Sequence, residues 1–272
     1  MNGIEMVSSE PKRVRLPAVA GQFYTSNPEE LERQVDHFLK QAQSPDIGAP
    51  KAIIAPHAGY VYSGPVAATA YKTLEQVKDQ IKQVVIMSPA HRYGFRGIAW
   101  SQADYFRTPL GDIPVDKNAI ASLDDLDYVM PLEQAFEGEH ALEVHLPFLQ
   151  LSLTEFSLVP FIVGMTSAQQ VAEVLNRLWG DKHTLIVISS DLSHFHEYHQ
   201  AQQLDRRTSN NIEKLNYEAI GGEDACGTYP LSGLLLAAQQ KQLHANVLDL
   251  RNSGDTAGDK SRVVGYGAYI IN

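Results

Sequence analysis

Apolar residues in this chain fall into two alternating kinds of segment. Short unbroken runs occur at Lys51–Ala55, Gln83–Met87, Phe156–Val163 and Thr184–Ser189. They have the length of strands, and Lys51–Ala55, Val84–Met87 and Leu185–Ile188 have the low polarity of strands buried on both faces. Between them, apolar positions recur at helical spacing. Leu31, Val35, Phe38 and Leu39 share one face of a predicted helix. Asn27 can cap it, Pro28 suits its first position, and Glu30 stands at capping-box spacing. His37 lies beside that stripe, at the surface or its boundary. A second helix is predicted after Gly64-Pro65, through Ala67, Ala70, Tyr71 and Leu74. Glu133–Leu151 reads as helix, interrupted or ended near Pro147, and Ala168–Trp179 as an amphipathic helix with Val171, Val174, Leu175 and Leu178 inward. Gln203–Leu215 reads as a polar helix and Leu231–Ala238 as an apolar one. Residues 98–116 suggest short strands with a turn at Thr108–Asp112. Asn246–Leu250 and Val264–Ile271 supply the last strands.

Strands alternating with helices predict an α/β layer structure. The expected architecture is a single three-layer domain over residues 13–272, with a central, largely parallel sheet. No repeat or Pro/Gly/Ser-rich linker divides it. Residues 1–12 are polar and predict a flexible start. They hold no apolar core of a secretory signal, and no apolar stretch approaches the ~20 residues of a membrane helix.

Composition narrows the function. Hydrophobic residues make up 44% and charged residues 20%, ordinary values for a globular chain. The net charge of −10 and absence of basic runs argue against a nucleic-acid or anionic-membrane partner. Cys226 is the one cysteine, so no internal disulfide forms, and a reducing, cytoplasmic setting is expected.

Three apolar runs end alike. Each meets a small or turn-forming residue and then a histidine: Pro56-His57, Ser88-Pro89-Ala90-His91 and Ser190-Asp191-Leu192-Ser193-His194. In open α/β sheets, ligands bind beyond the carboxyl ends of strands. Parallel neighbours would bring these imidazoles to one pocket, suited to a transition metal or to proton transfer. Asp191 can orient an imidazole, or cap a short helix over Leu192–His196. His196 and His199 fall on the exposed side of that turn. In Glu139-His140-Ala141-Leu142-Glu143-Val144-His145 the two histidines are five apart, which turns them about 140° from each other on a helix. They do not form the zinc motif with histidines four apart; contact with substrate, support of the site, or capping remain open for them. Cys226 precedes Gly227 and a predicted helix, whose N-terminus would favour the thiolate. It reads equally as a small buried hydrophobe. Cys226 with His194 and Asp191 also has the residue types of a cysteine hydrolase.

These motifs, with Arg15-Leu16-Pro17-Ala18-Val19-Ala20-Gly21-Gln22-Phe23-Tyr24 and Pro56-His57-Ala58-Gly59-Tyr60-Val61-Tyr62-Ser63-Gly64, resemble the Memo-like family. Its bacterial and archaeal members are often called AmmeMemoRadiSam system protein B. The resemblance runs from about Val14 to Ile271, and through it the chain is similar to class III extradiol dioxygenases, which hold non-haem iron. The resemblance implies a dioxygenase-like fold, His57 and His91 as metal ligands, and His194 as an acid/base group assisted by Asp191. It implies Cys226 as the third ligand, where the dioxygenases use glutamate. Tyr60 and His140 are the candidate substrate-binding wall. A thiolate softens such a site, so iron or copper is expected, with zinc also accommodated. The implied function is metal-dependent redox chemistry; the alternative is a non-catalytic signalling protein that binds a small-molecule or peptide ligand in the same pocket.

Overall fold

The computed structural model describes residues 12–43 and 48–272. The chain opens with β1 (Val14–Arg15), α1 (Pro28–Gln41), β2 (Ala52–Ala55), α2 (Tyr60–Lys72) and β3 (Gln83–Pro89). Next come β4 (Ile98–Trp100), β5 (Tyr105–Thr108), β6 (Gly111–Pro114), α3 (Lys117–Ala121) and β7 (Val129–Pro131). Then follow α4 (Leu146–Ser152), β8 (Ser157–Val163), α5 (Ala168–Arg177) and β9 (Thr184–Ser189). β10 (His194–His196), α6 (Tyr198–Glu213), α7 (Thr228–Gln240), β11 (Ala245–Asn252), α8 (Ser253–Thr256) and β12 (Val263–Ile271) complete it. The flexible start expected over residues 1–12 lies outside the described residues, apart from Lys12.

The large sheet has nine strands in the order β10-β12-β2-β9-β3-β8-β4-β7, with β11 added on β12. It is parallel through its centre, where β2, β9, β3 and β8 run together, and again at one edge between β4 and β7. β12 and β4 flank these strands antiparallel, so the sheet is mixed rather than largely parallel. The reason lies in the connections. A parallel neighbour needs a crossover, which α2, α5 and their loops provide. β4 and β12 are instead reached from the strands before them, β3 and β11, by shorter links that reverse direction. A small second sheet, β1-β5-β6, carries the opening strand.

The central strands alternate their side chains between two cores. Ile53, Ala55, Val84 and Ile86 face the core covered by α1, α2 and α4. Ala52, Ile54, Val85 and Met87 face the one covered by α5 and α7. Burial on both faces explains why these strands read as unbroken apolar runs. Among the described residues no helix is long and apolar enough to cross a membrane.

Several helix boundaries differ from the sequence expectation. α2 begins at Tyr60, ahead of Gly64-Pro65, and takes both into its body. Gly64 is there for contact rather than as a break: a Cβ on it would lie 2.6 Å from Phe38 Cε2 of α1. The expected helix over Glu133–Leu151 is two single 3-10 turns, Glu133–Ala135 and Glu143–His145, followed by α4. Pro147 sits at the start of α4, the one place in a helix where a missing N–H costs nothing. Upstream, Gly138 takes φ 66°. The N–H groups of His140 and Ala141 are drawn sideways onto the Glu139 carboxylate. The helix that Asp191 was expected to cap is the short strand β10.

Candidate metal centre

β2, β9 and β3 lie side by side and parallel, so their carboxyl ends open on one edge of the sheet. β2 releases His57, β3 releases His91 and β9 leads through Ser190–Ser193 to His194. Cys226 arrives from elsewhere, on the turn before α7. Gly227 allows its approach: a Cβ there would lie 2.6 Å from both Ser189 O and Ser190 Cβ. Ligand atoms of His57, His91 and Cys226 all lie within 4.8 Å of one another, close enough to share one metal ion. His57 Nε2 is 3.3 Å from Cys226 Sγ, and the His57 and His91 rings meet edge-on at 5.1 Å.

The hydrogen bonds behind His57 determine which of its nitrogens is free. Ser189 Oγ donates to Ala141 O at 2.7 Å. It also lies 2.6 Å from His57 Nδ1 and 2.8 Å from His145 Nε2. A hydroxyl has one proton, and Ala141 O receives it, so both imidazoles must donate to Ser189. His57 therefore carries its proton on Nδ1 and presents the Nε2 lone pair toward Cys226. His145 carries its proton on Nε2, and its Nδ1 accepts from Tyr71 Oη at 2.9 Å. Burial first, and then the other histidines, hold His57 well below the usual imidazole range, and burial lowers His145 to about 3. Both rings are neutral at pH 7, as a metal-binding imidazole must be.

His91 is braced by a carboxylate. Glu139 accepts from His91 N at 2.6 Å and faces His91 Nδ1 at 3.0 Å. The same carboxylate accepts from the N–H groups of His140 and Ala141 at 2.9 and 3.0 Å. Burial alone would raise the Glu139 pKa, but the His91 imidazole and these N–H groups prevail and lower it to about 2. A carboxylate on Nδ1 leaves Nε2 of His91 as the nitrogen able to serve a metal. His91, Glu139 and His140 also lie close enough to hold an ion. Four donors already occupy Glu139, however, which makes it a support for His91. His140 stacks on His91 at 4.8 Å and meets the Phe23 ring at a tilt at 4.5 Å, with a side chain 16% exposed. Burial lowers its pKa to about 4. It stands at the wall of the centre.

The other expected site residues are placed differently. His194 is half-buried, near enough to His57 to lower its pKa electrostatically and near enough to His91 for that ring to lower its own. Burial lowers its pKa, while the Leu192 carbonyl against its imidazole opposes the shift. Asp191 does not orient His194. Its Oδ1 accepts from His57 N at 2.8 Å, so it anchors the backbone of a ligand. Burial raises it to about 7. Tyr60 does not reach the centre either. Beginning α2, it turns its ring into the core between Tyr24 and Phe148, and its hydroxyl donates to Val144 O at 2.6 Å. Burial, and then the Asp191 carboxylate, push the Cys226 thiol up, overriding the helix-terminus effect expected for it. Its imidazole neighbour is His57, not His194, so the hydrolase arrangement is absent from this site. His199 is exposed at the start of α6, and His196 is half-buried on β10.

Three positions around the centre carried no distinct signal, Ser189, Glu139 and Glu143, and His145 takes the supporting place that the sequence leaves open for it. Ser189, Glu139 and His145 support the ligands as described. Glu143, fully buried, accepts from Arg15 Nη1, from the N–H groups of Ala18 and Val19, and from Tyr24 Oη. It ties the 15–24 segment beneath the centre. The available cue for Glu139 and Glu143 was acids set among apolar residues in a stretch with two histidines.

An α/β sheet with a His/His/Cys group at its carboxyl edge defines the class of protein. The family model described as Memo-like protein matches residues 15–270. The MEMO1 family protein of Aquifex aeolicus is 36% identical over 270 residues, covering 95% of this chain and 99% of the relative. The MEMO1 family protein of Sulfolobus acidocaldarius is 34% identical over 278 residues, covering 93% and 97%. That of Methanosarcina mazei is 34% identical over 280 residues, covering 95% and 99%. The chain belongs to the Memo-like family.

Proposed function

We propose that His57, His91 and Cys226 bind iron or copper and that the protein is a cytoplasmic, dioxygenase-like oxidoreductase acting on a small molecule. One observation carries this reading: both histidines have their Nδ1 engaged from behind, by Ser189 and by Glu139, so both offer Nε2 to a point shared with a thiol. Two imidazoles and one sulfur suit copper or iron and also accommodate zinc. Bound iron or copper would supply redox chemistry toward dioxygen or an organic substrate. The chain's own residues do the rest. Ser189 and Glu139 keep the ligand lone pairs aimed, Asp191 holds the His57 backbone, and His194 takes or gives a proton beside the centre. Elemental analysis of purified wild type against His57→Ala and Cys226→Ser tests the reading. Metal should be lost from both variants; unchanged content in both would overturn it.

A second reading has its own support. Several large exposed hydrophobics lie just beyond site residues: Val61 and Tyr62 after His57, Tyr93 after His91, Phe195 after His194 and Tyr229 after Cys226. Exposed apolar side chains following the site residues in the chain suit a small-molecule or peptide ligand with apolar surface. If the protein is a binder without turnover, ligand affinity will survive metal removal and no oxygen will be consumed.

A further inference from the structure

A buried carboxylate behind His194 plays no part in the arrangement described so far. Asp205 of α6 is 2% exposed. Its Oδ1 accepts from the N–H of Ser193 at 3.0 Å, one residue before His194. Its other side rests on β12. A Cβ on Gly265 would lie 2.1 Å from Asp205 Oδ2, so the carboxylate packs directly on strand backbone. β12 grips the same turn. Leu192 N–H donates to Gly265 O, and Gly265 N–H donates to Ser193 O, both at 2.8 Å. Residues 192 and 193 are therefore held between a strand and a buried acid.

The backbone on the far side of His194 is strained. Phe195 takes φ 61°, a left-handed conformation that bulky residues avoid because the Cβ crowds the following carbonyl. The β10–β12 register also shifts between His194 and His196, and irregularities of this kind re-aim side chains. Strain of this sort persists only where its surroundings over-determine it. Asp205 supplies the restraint on one side. Burial raises its pKa to about 6, so the group is unfavourable where it stands, and a neutral side chain would accept the same N–H at lower cost.

We propose that Asp205 is a positioning residue for His194: by clamping Ser193 against β12 it fixes the aim of the His194 imidazole at the metal centre. This rests on the reading of His194 as the proton-handling group. The test is NMR of full-length protein carrying isotope-labelled histidine, metal-free and zinc-loaded. His194 is assigned with His194→Gln, and His183 and His244 serve as remote references. Asp205→Ala should shift and broaden the His194 imidazole signal well beyond any change at the references. Asp205→Asn, which keeps an oxygen for the Ser193 N–H, should restore it. An unmoved His194 signal in folded Asp205→Ala overturns the proposal. If that variant does not fold, Asp205→Glu carries the test. Its longer arm does not fit against Gly265, so the signal must move there too, and an unmoved signal overturns the proposal equally. Metal content of the wild type as purified, before stripping or zinc loading, separates the two readings. A wild type that retains no metal defeats the redox function and leaves the His194 result standing.

Discussion

Replacing Ser189 by alanine removes one oxygen on which three partners depend. His57 Nδ1 and His145 Nε2 lose their acceptor, and Ala141 O loses its donor, at a position with no solvent exposure. An orphaned buried polar group costs about 1–3 kcal/mol. Partial relaxation of the three leaves an expected loss of roughly 3 kcal/mol in folding stability, on the same scale of cost. The effect on the centre is separate. Without the serine, nothing keeps the His57 proton on Nδ1, and the alternative tautomer turns an N–H toward Cys226. Loss of a partner behind a ligand histidine lowers metal affinity about 10–100-fold. Urea denaturation of metal-free protein reads the first effect, and competition with a chromophoric chelator reads the second. Tyr71→Phe is the contrast. It takes only the donor to His145 Nδ1, so stability should fall by about 1 kcal/mol with metal affinity kept. Metal affinity of Ser189→Ala within twofold of wild type would refute the tautomer argument.

Two further outcomes are expected. Glu143→Ala strands the Arg15 guanidinium, which sits with a side chain only 10% exposed, and breaking such a pair costs about 3–5 kcal/mol. The urea midpoint should fall, and limited trypsin digestion should cut earlier at Arg13 and Arg15. Asp205 has its pKa raised from 3.8 to about 6 on folding, so between those values the folded chain keeps a proton that the unfolded chain has lost. Stability therefore falls as pH rises through that window and levels off above it. Between about pH 5 and about pH 7.5 one unit of that window is crossed, so Asp205→Asn should gain about 1.4 kcal/mol on wild type. Equal urea midpoint changes for the two proteins would contradict this.

The parts of the molecule legible in its sequence are those with a local cause. Thr184–Ser189 reads as a strand because an unbroken, β-branched run has few other fates, and β9 has those bounds. The strand-end histidines stand out because the runs at residues 55, 87 and 189 all stop the same way. What was not legible depends on distant partners. Nothing near Ser189 announces that His57 and His145 converge on it, and nothing near Tyr60 shows that its ring belongs between Tyr24 and Phe148. The 133–151 stretch misleads because its amphipathic spacing is real, while the Glu139 carboxylate diverts the N–H groups a helix would need. Cys226 has no strand pattern to place it; its position follows from Gly227, whose bare Cα lets the backbone reach the end of β9.

The placement of β9 between β2 and β3 bears on how the centre comes into being during synthesis. β2 and β3 are made early and carry His57 and His91 out first. They are not neighbours in the finished sheet; two strand spacings, roughly 10 Å, separate them. That gap is filled only when residues 184–189 have been made and inserted, and Cys226 follows later still. The two histidines therefore travel for about a hundred residues of elongation with no sulfur beside them and no Ser189 to set their protons. Until Cys226 is made, the His57/His91/Cys226 group lacks one of its three members. The complete candidate centre is therefore a property of the closed sheet, assembled from segments made far apart in time.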